Sequence, residues 1–259
     1  MSQASASTPA PSSAPAPAGT TADGAGHGFI DNLMGLFFSP REEYASIVAR
    51  PRFWVPLVGW MALSCAFTGF WLQKVDAREF MRNQIVESGR ADKMPPGQME
   101  QVIDTQSGII KPISWASAIL APPILLLIVA GLCLFVFRFF YAGNVTFAQS
   151  LAIVAWCDFV IALVATPLIL AVLAMKGDWN INPQEALQAN LGMFLDKATT
   201  SKPLYKLAES VDLFSAWTVW LLSSGFGVAT RRTTGAAAGG ILGLWAIYVL
   251  IKVAWAAIF

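Results

Sequence analysis

The chain has 259 residues, of which 56% are apolar and 13% are charged, and its formal net charge is +1. A soluble domain carries about twice this charged fraction, so the composition indicates an integral membrane protein and gives no case for nucleic-acid binding. One histidine, His27, and three cysteines within apolar stretches, Cys65, Cys133 and Cys157, offer no metal-ligand spacing, so neither a metal nor another cofactor is expected.

The N-terminal region divides into a polar tail and two short helices. Residues 1–27 are mostly Ser, Ala, Pro, Thr and Gly, a composition that predicts disorder. Phe29–Phe38 is amphipathic at helical spacing and too short to cross a bilayer, which predicts an interfacial helix. Ser39 and Pro40 suit the start of a second helix, expected to end near Ala49.

Five apolar stretches predict membrane-spanning helices, because about 20 apolar residues cross the hydrocarbon layer. The predicted spans cover residues 53–73, 113–141, 147–175, 212–230 and 236–258. Pro122 and Pro123 are expected to kink the second span, since proline removes backbone donors. The expected fold class is therefore all-α, a helical membrane bundle with five transmembrane helices that occupies residues 28–259.

Two large polar loops separate these spans, at Lys74–Lys111 and Lys176–Val211. The first should contain two helices, the second of them starting after Pro95, and the second loop should contain one helix after Asn182. Five spans place both loops on one side and the two termini on opposite sides. Arginines that directly flank the spans favour a cytoplasmic N-terminus, whereas a simple count of Lys and Arg in the loops favours the reverse.

One acidic side chain, Asp158, lies well inside the third predicted span, Phe147–Met175. Alanines at 155, 162 and 165 share its helix face and would let a neighbouring helix approach closely. A carboxylate at this depth costs several kcal/mol unless it is paired, protonated or hydrated. Two interpretations are open: an ion pair with Arg138 on the adjacent antiparallel helix, or a polar site on an ion pathway.

Glycines repeat every fourth residue in the fifth predicted span, at Gly235, Gly239 and Gly243. This spacing is common where two membrane helices pack closely, so it predicts a packing face. The sequence contains no nucleotide-binding loop, nucleophile elbow or zinc-protease motif, so we expect a protein that is not an enzyme.

Three stretches of aromatic, small and proline residues resemble the Yip1 family, especially its bacterial members. They read LFFSPREEYASIVARPRFWVPL, GNVTFAQSLAIVAWCDFVIAL and ESVDLFSAWTVWLLSSGFGVATRR, and the resemblance covers roughly residues 30–258. The chain departs from the family pattern where Asp158 and Phe159 follow Cys157, since a proline is usual there. The resemblance implies five membrane helices with a cytoplasmic N-terminus, in a bacterial inner membrane.

Two functions follow from these features. The first is a non-catalytic membrane scaffold or adaptor, since eukaryotic members of the family are adaptors in vesicle traffic and no catalytic constellation is present. Its partners would be the lipid bilayer and either other membrane proteins or a second copy of the chain. The alternative is a transporter or channel for a small solute, ion or lipid, with Asp158 and the kinked helices along the route.

Overall fold

A computed structural model describes residues 28–95, 97–187, 189–196 and 199–258. The tail expected to be disordered, residues 1–27, lies outside the described residues. The described chain folds into ten α-helices: α1 Phe29–Phe38, α2 Pro40–Ala49, α3 Trp54–Trp71, α4 Ala77–Glu87, α5 Gln98–Phe139, α6 Phe147–Lys176, α7 Pro183–Ala186, α8 Lys202–Ser210, α9 Leu213–Ala229 and α10 Thr234–Ile258. Two short 3₁₀ segments cover Ala91–Lys93 and Leu191–Phe194.

Four helices, α3, α5, α6 and α10, are long and apolar enough to cross a membrane. α9 is equally apolar but has 17 residues, one turn shorter than a typical span. The all-α membrane bundle expected from the sequence is confirmed, whereas the count of five spans stays a prediction that depends on α9.

The bundle is built around α6. A capping box between Thr146 and Gln149 starts this helix, and the N-terminal half that follows is buried almost without interruption. α6 contacts α2, α3, α5 and α9, so it supplies side chains to every side of the core. The rings of Phe137 on α5 and Phe226 on α9 stack beside it, with centroids 4.5 Å apart.

α2 lies across the end of the bundle on the N-terminal side. Arg41, near its start, donates to the Arg232 carbonyl in the α9–α10 turn at 3.0 Å, and the Val48 carbonyl near its end accepts from Gln149 at 3.2 Å. α1 packs beside α2 and turns Ile30 and Phe38 outward, at 71% and 78% exposure. Its amphipathic character is confirmed, and its place at the membrane interface stays a prediction.

α5 corrects two expectations about the first loop and the second span. The helix expected after Pro95 and the span expected at residues 113–141 form one helix of 42 residues, with Pro112, Pro122 and Pro123 inside it. Each proline removes one backbone donor, and helical backbone nevertheless continues through all three. The first 15 residues of α5 therefore extend the span into the loop region.

The second loop also differs from the expectation. Asn182 caps a helix as predicted, but this helix, α7, has only four residues, and the apolar residues Leu191 and Phe194 lie in a separate 3₁₀ turn. α8 follows and was not expected, although Ser201 and Pro203 are typical helix-start residues. Short helices outside the membrane carry too few apolar residues to give a clear periodic signal.

The two large loops pack together on the side opposite α2. The Asn180 side chain accepts from the Asp76 backbone N–H at 2.8 Å and donates to Glu79 at 2.9 Å. Trp71 donates its indole N–H to the Trp179 carbonyl at 3.1 Å. We call this assembly of α4, the start of α5 and the described residues of 177–210 the loop cap. Its contacts confirm that both loops are helical in part and lie on one side of the bundle.

Candidate functional site

Asp158 lies in the half of α6 that the rest of the bundle covers. Its neighbours from Ser150 to Cys157, together with Phe159 and Val160, are buried, whereas Asp158 itself keeps intermediate exposure. Ala155 is fully buried beside it, so close helix packing on this face is confirmed at that position. The carboxylate therefore reaches the edge of the packed core.

Polar groups from two other helices lie around the N-terminal half of α6, the half that contains Asp158. Tyr44 of α2 is completely buried, and burial raises the pKa of its phenol well above the ordinary value, with smaller electrostatic contributions from Cys157 and Asp158. Cys133 of α5 and Cys157 are buried free thiols, as the sequence predicted, and Cys65 is half-buried. The arrangement is a small polar cluster without a basic group among the described residues.

Arg138 does not belong to this cluster. It is exposed near the end of α5, and no ion pair joins it or Asp158 to any part of the chain that the structure describes. The reason is the register of the two helices. The Ser150 hydroxyl donates to the Ala130 carbonyl at 2.7 Å, which puts residues 130 and 150 at one level.

Asp158 and Arg138 each lie eight residues beyond that level, in opposite directions along antiparallel helices. At 1.5 Å per residue, their Cα atoms are separated by roughly 24 Å along the axes. The expected ion pair is therefore not formed. Sequence spacing cannot predict this register, because it depends on where α5 and α6 cross.

The glycine face of α10 is also displaced from its expected position. Gly235, Gly239 and Gly243 are exposed, and no described atom lies within 4 Å of where a side chain at Gly235 or Gly243 would begin. Instead, Gly240 packs tightly, since a Cβ there would lie 3.0 Å from Tyr141 and 3.2 Å from Val136. α10 thus approaches the Tyr141 side chain through both Gly240 and Gly239, where a Cβ would lie 3.1 Å from the Tyr141 hydroxyl, whereas Gly235 and Gly243 meet no described atom.

The helices α2, α6 and α9 pack closely against one another. The Tyr44 hydroxyl donates to the Ile153 carbonyl at 3.5 Å, and the ring of Tyr44 covers Gly225. A Cβ at Gly225 would lie 2.5 Å from a methyl group of Ile153. The three stretches that carry the family resemblance, one on each of these helices, therefore meet at one point in the structure.

A family model described as the Yip1 domain matches residues 34–256, about six-sevenths of the chain. The chain belongs to the Yip1 family. No curated protein and no solved structure gives a significant match to it. Yip1 membership and the long apolar helices identify a multi-pass membrane protein, of a family whose members are generally non-catalytic and interact with other membrane proteins.

The loop cap gives this Yip1 protein a second candidate site that sequence reasoning missed. A polar cleft of about 400 Å³ lies between α4 and the second loop, and a neighbouring hollow of about 240 Å³ shares Glu87, Glu185 and Tyr205 with it. Along the same loop, Met193 and Phe194 are exposed, Phe194 by 76%. Only tertiary packing brings α4 to the second loop, so no local pattern could have revealed the cleft.

Proposed function

We propose that this Yip1 protein is a non-catalytic membrane scaffold or adaptor that binds other membrane proteins through its loop cap. The observation that carries the proposal is the packing of the described cap segments against one another. The Asn180 side chain accepts from Asp76 and donates to Glu79, and Arg78 and Arg82 form ion pairs with Glu100. Such a surface, with exposed apolar side chains beside a polar cleft, suits recognition of a folded partner.

The core of the bundle supports the same proposal. Large side chains fill the space around α6, and Tyr44, Phe137 and Phe226 are all completely buried. The described cleft and hollows lie in the loop cap or on the lipid-facing surface. We place the chain in a bacterial inner membrane with five spans and a cytoplasmic N-terminus, so that the loop cap faces outward.

Photo-crosslinking in intact membranes tests the scaffold. A photoreactive residue at Met193, on the loop cap, should give one discrete protein adduct in stoichiometric yield, and the same residue at Ile251, exposed on α10, is the matched lipid-facing control. The same set of protein adducts at both positions, or no adduct at Met193, would contradict partner binding by the loop cap.

The alternative, transport, has one specific observation in its favour. By the register of α5 and α6, Pro122 lies at about the level of Asp158. Pro122 and Pro123 leave the carbonyls of Ala118 and Ile119 without their helical donors, and free carbonyls beside a carboxylate are the groups with which transporters bind cations. Cation flux into proteoliposomes that is lost in Asp158→Asn would support transport over the scaffold.

A further inference from the structure

A hollow lies on the lipid-facing side of α5 near its C-terminal end. Its volume is about 360 Å³, and its lining residues share one helix face: Gly131, Leu134, Phe135, Arg138 and Phe139. No described atom comes within 4 Å of where a Cβ at Gly131 would lie, so the glycine leaves a notch in the helix surface. The hollow therefore begins at an apolar notch and ends at a single guanidinium.

Aromatic rings form one wall of the hollow at the end that carries the charge. Phe135 stacks on Phe139 with centroids 5.5 Å apart, and Phe140 meets both rings edge-on. Away from this end, the apolar surface continues past Gly131 to Ile128, which is half exposed.

Arg138 differs from Arg41 and Arg232 in having no hydrogen-bond or ion-pair partner among the described residues. Arg41 donates to the Arg232 carbonyl at 3.0 Å, and Arg232 donates to the Tyr141 carbonyl at 3.2 Å while lying over the Tyr141 ring. No hydrogen bond or ion pair joins the Arg138 guanidinium to a described residue. An unpaired guanidinium at the edge of a span is stabilised by phosphate oxygens, which it binds through parallel N–H donors.

We propose that the hollow at Arg138 binds an anionic phospholipid in the leaflet on the N-terminal side. The guanidinium holds the phosphate, and one acyl chain crosses the notch at Gly131 toward Ile128. The charge of the site selects the lipid class, because a zwitterionic headgroup brings an ammonium close to Arg138 and offsets part of the attraction. No carboxylate lines the hollow among the described residues, so the positive charge there is uncompensated.

Native mass spectrometry of the full chain, reconstituted with phosphatidylglycerol or phosphatidylcholine, tests the site. Arg138→Gln should weaken phosphatidylglycerol retention roughly tenfold, the loss of one charge-assisted contact, and change phosphatidylcholine retention little. Gly131→Leu should weaken retention of both lipids, because it fills the notch and keeps the charge. Arg231→Gln, at an exposed arginine in the α9–α10 turn, is the matched control and should leave both unchanged.

Three results would overturn the proposal. The first is wild-type retention of phosphatidylglycerol by Arg138→Gln, and the second is an equal loss from Arg231→Gln. The third is displacement of the lipid by soluble glycerol phosphate, which would assign the site to a free anion. If Arg138→Gln does not fold, Gly131→Leu decides alone, and unchanged phosphatidylglycerol retention by that variant overturns the proposal.

Discussion

At the scale of single residues, the distance between Asp158 and Arg138 makes a simple energetic prediction. Because roughly 24 Å of helix separates them, neither charge is the other's partner. Asp158→Asn and Arg138→Gln should therefore change the free energy of unfolding independently, and the double variant should show the sum of the two effects within about 0.5 kcal/mol. Thermal unfolding of the three variants in one detergent measures this.

A double variant markedly more stable than that sum would indicate coupling and contradict the separation. Rescue of that kind is expected only of a buried ion pair, in which removing one partner leaves an uncompensated charge.

The second prediction at this scale compares substitutions at two glycines. Gly225 is closely packed, whereas Gly243 has no described atom near it. A methyl group at Gly225 would meet Ile153 at 2.5 Å and the Tyr44 ring at 3.2 Å, so Gly225→Ala should lower the free energy of unfolding by about 1–3 kcal/mol. Gly243→Ala meets no described atom and should be neutral or slightly stabilising, since alanine favours the helix. Chemical denaturation in mixed micelles measures both; equal destabilisation would contradict the packing described at Gly225.

The sequence predicted residue environments in part. The alanine beside Asp158 at position 155 is buried, as the spacing of small residues indicated. The same kind of argument held only in part on α10, where Gly239 approaches the Tyr141 hydroxyl but Gly235 and Gly243 meet no described atom. Spacing identifies a face of small residues, but only the tertiary structure decides which face another helix covers.

At the scale of elements, Asn180 docks the second loop on the first. Asn180→Ala should release this docking, because it removes the contacts to Asp76 and Glu79. Amide hydrogen exchange in α4 should rise about tenfold, equivalent to roughly 1.4 kcal/mol of local stability, while exchange in α6 stays unchanged.

Gln101→Ala is the matched control for this prediction. Gln101 is an exposed amide on the same part of α5 that contacts α4, and its side chain has no hydrogen bond to a described residue. If Gln101→Ala raises exchange in α4 as much as Asn180→Ala does, the docking does not depend on Asn180.

The sequence predicted the apolar elements well and the polar ones poorly. Runs of apolar residues located α3, α6 and α10 within a few residues, because the hydrocarbon layer selects them by composition alone. Two polar elements were not predicted: the continuous helix α5, which joins a loop helix to a span, and the helix α8. Both depend on contacts in the loop cap. Those contacts join residues that are distant along the chain, so no window of sequence contains them.

At the scale of the whole molecule, the unsettled element is α9, whose 17 residues decide the number of spans. If α9 crosses the membrane, cysteines introduced at Thr233 and at Asn144, both exposed, should be labelled from one side by an impermeant maleimide. Cysteines at Met193 and Ser88 should be labelled from the other side, because both belong to the loop cap. A cysteine-free background, with Cys65, Cys133 and Cys157 replaced, avoids labelling of the native thiols.

Labelling of Thr233 from the same side as Met193 would contradict a spanning α9 and leave four spans. Reporter fusions at the two ends give an independent answer, since five spans put the termini on opposite sides. If both fusions report the same side of the membrane, the five-span topology is contradicted.

The length of α5 has a mechanical consequence. Its 42 residues extend about 63 Å, roughly twice the thickness of the hydrocarbon layer, and Arg78 and Arg82 fasten α4 to its first turns. Pro122 lies about 36 Å from the start of the helix, so a bend of about 10° there moves the loop-cap end by about 6 Å. A bend of this size at Pro122 would therefore turn a small change of angle within the membrane into a displacement the size of a side chain at the loop cap.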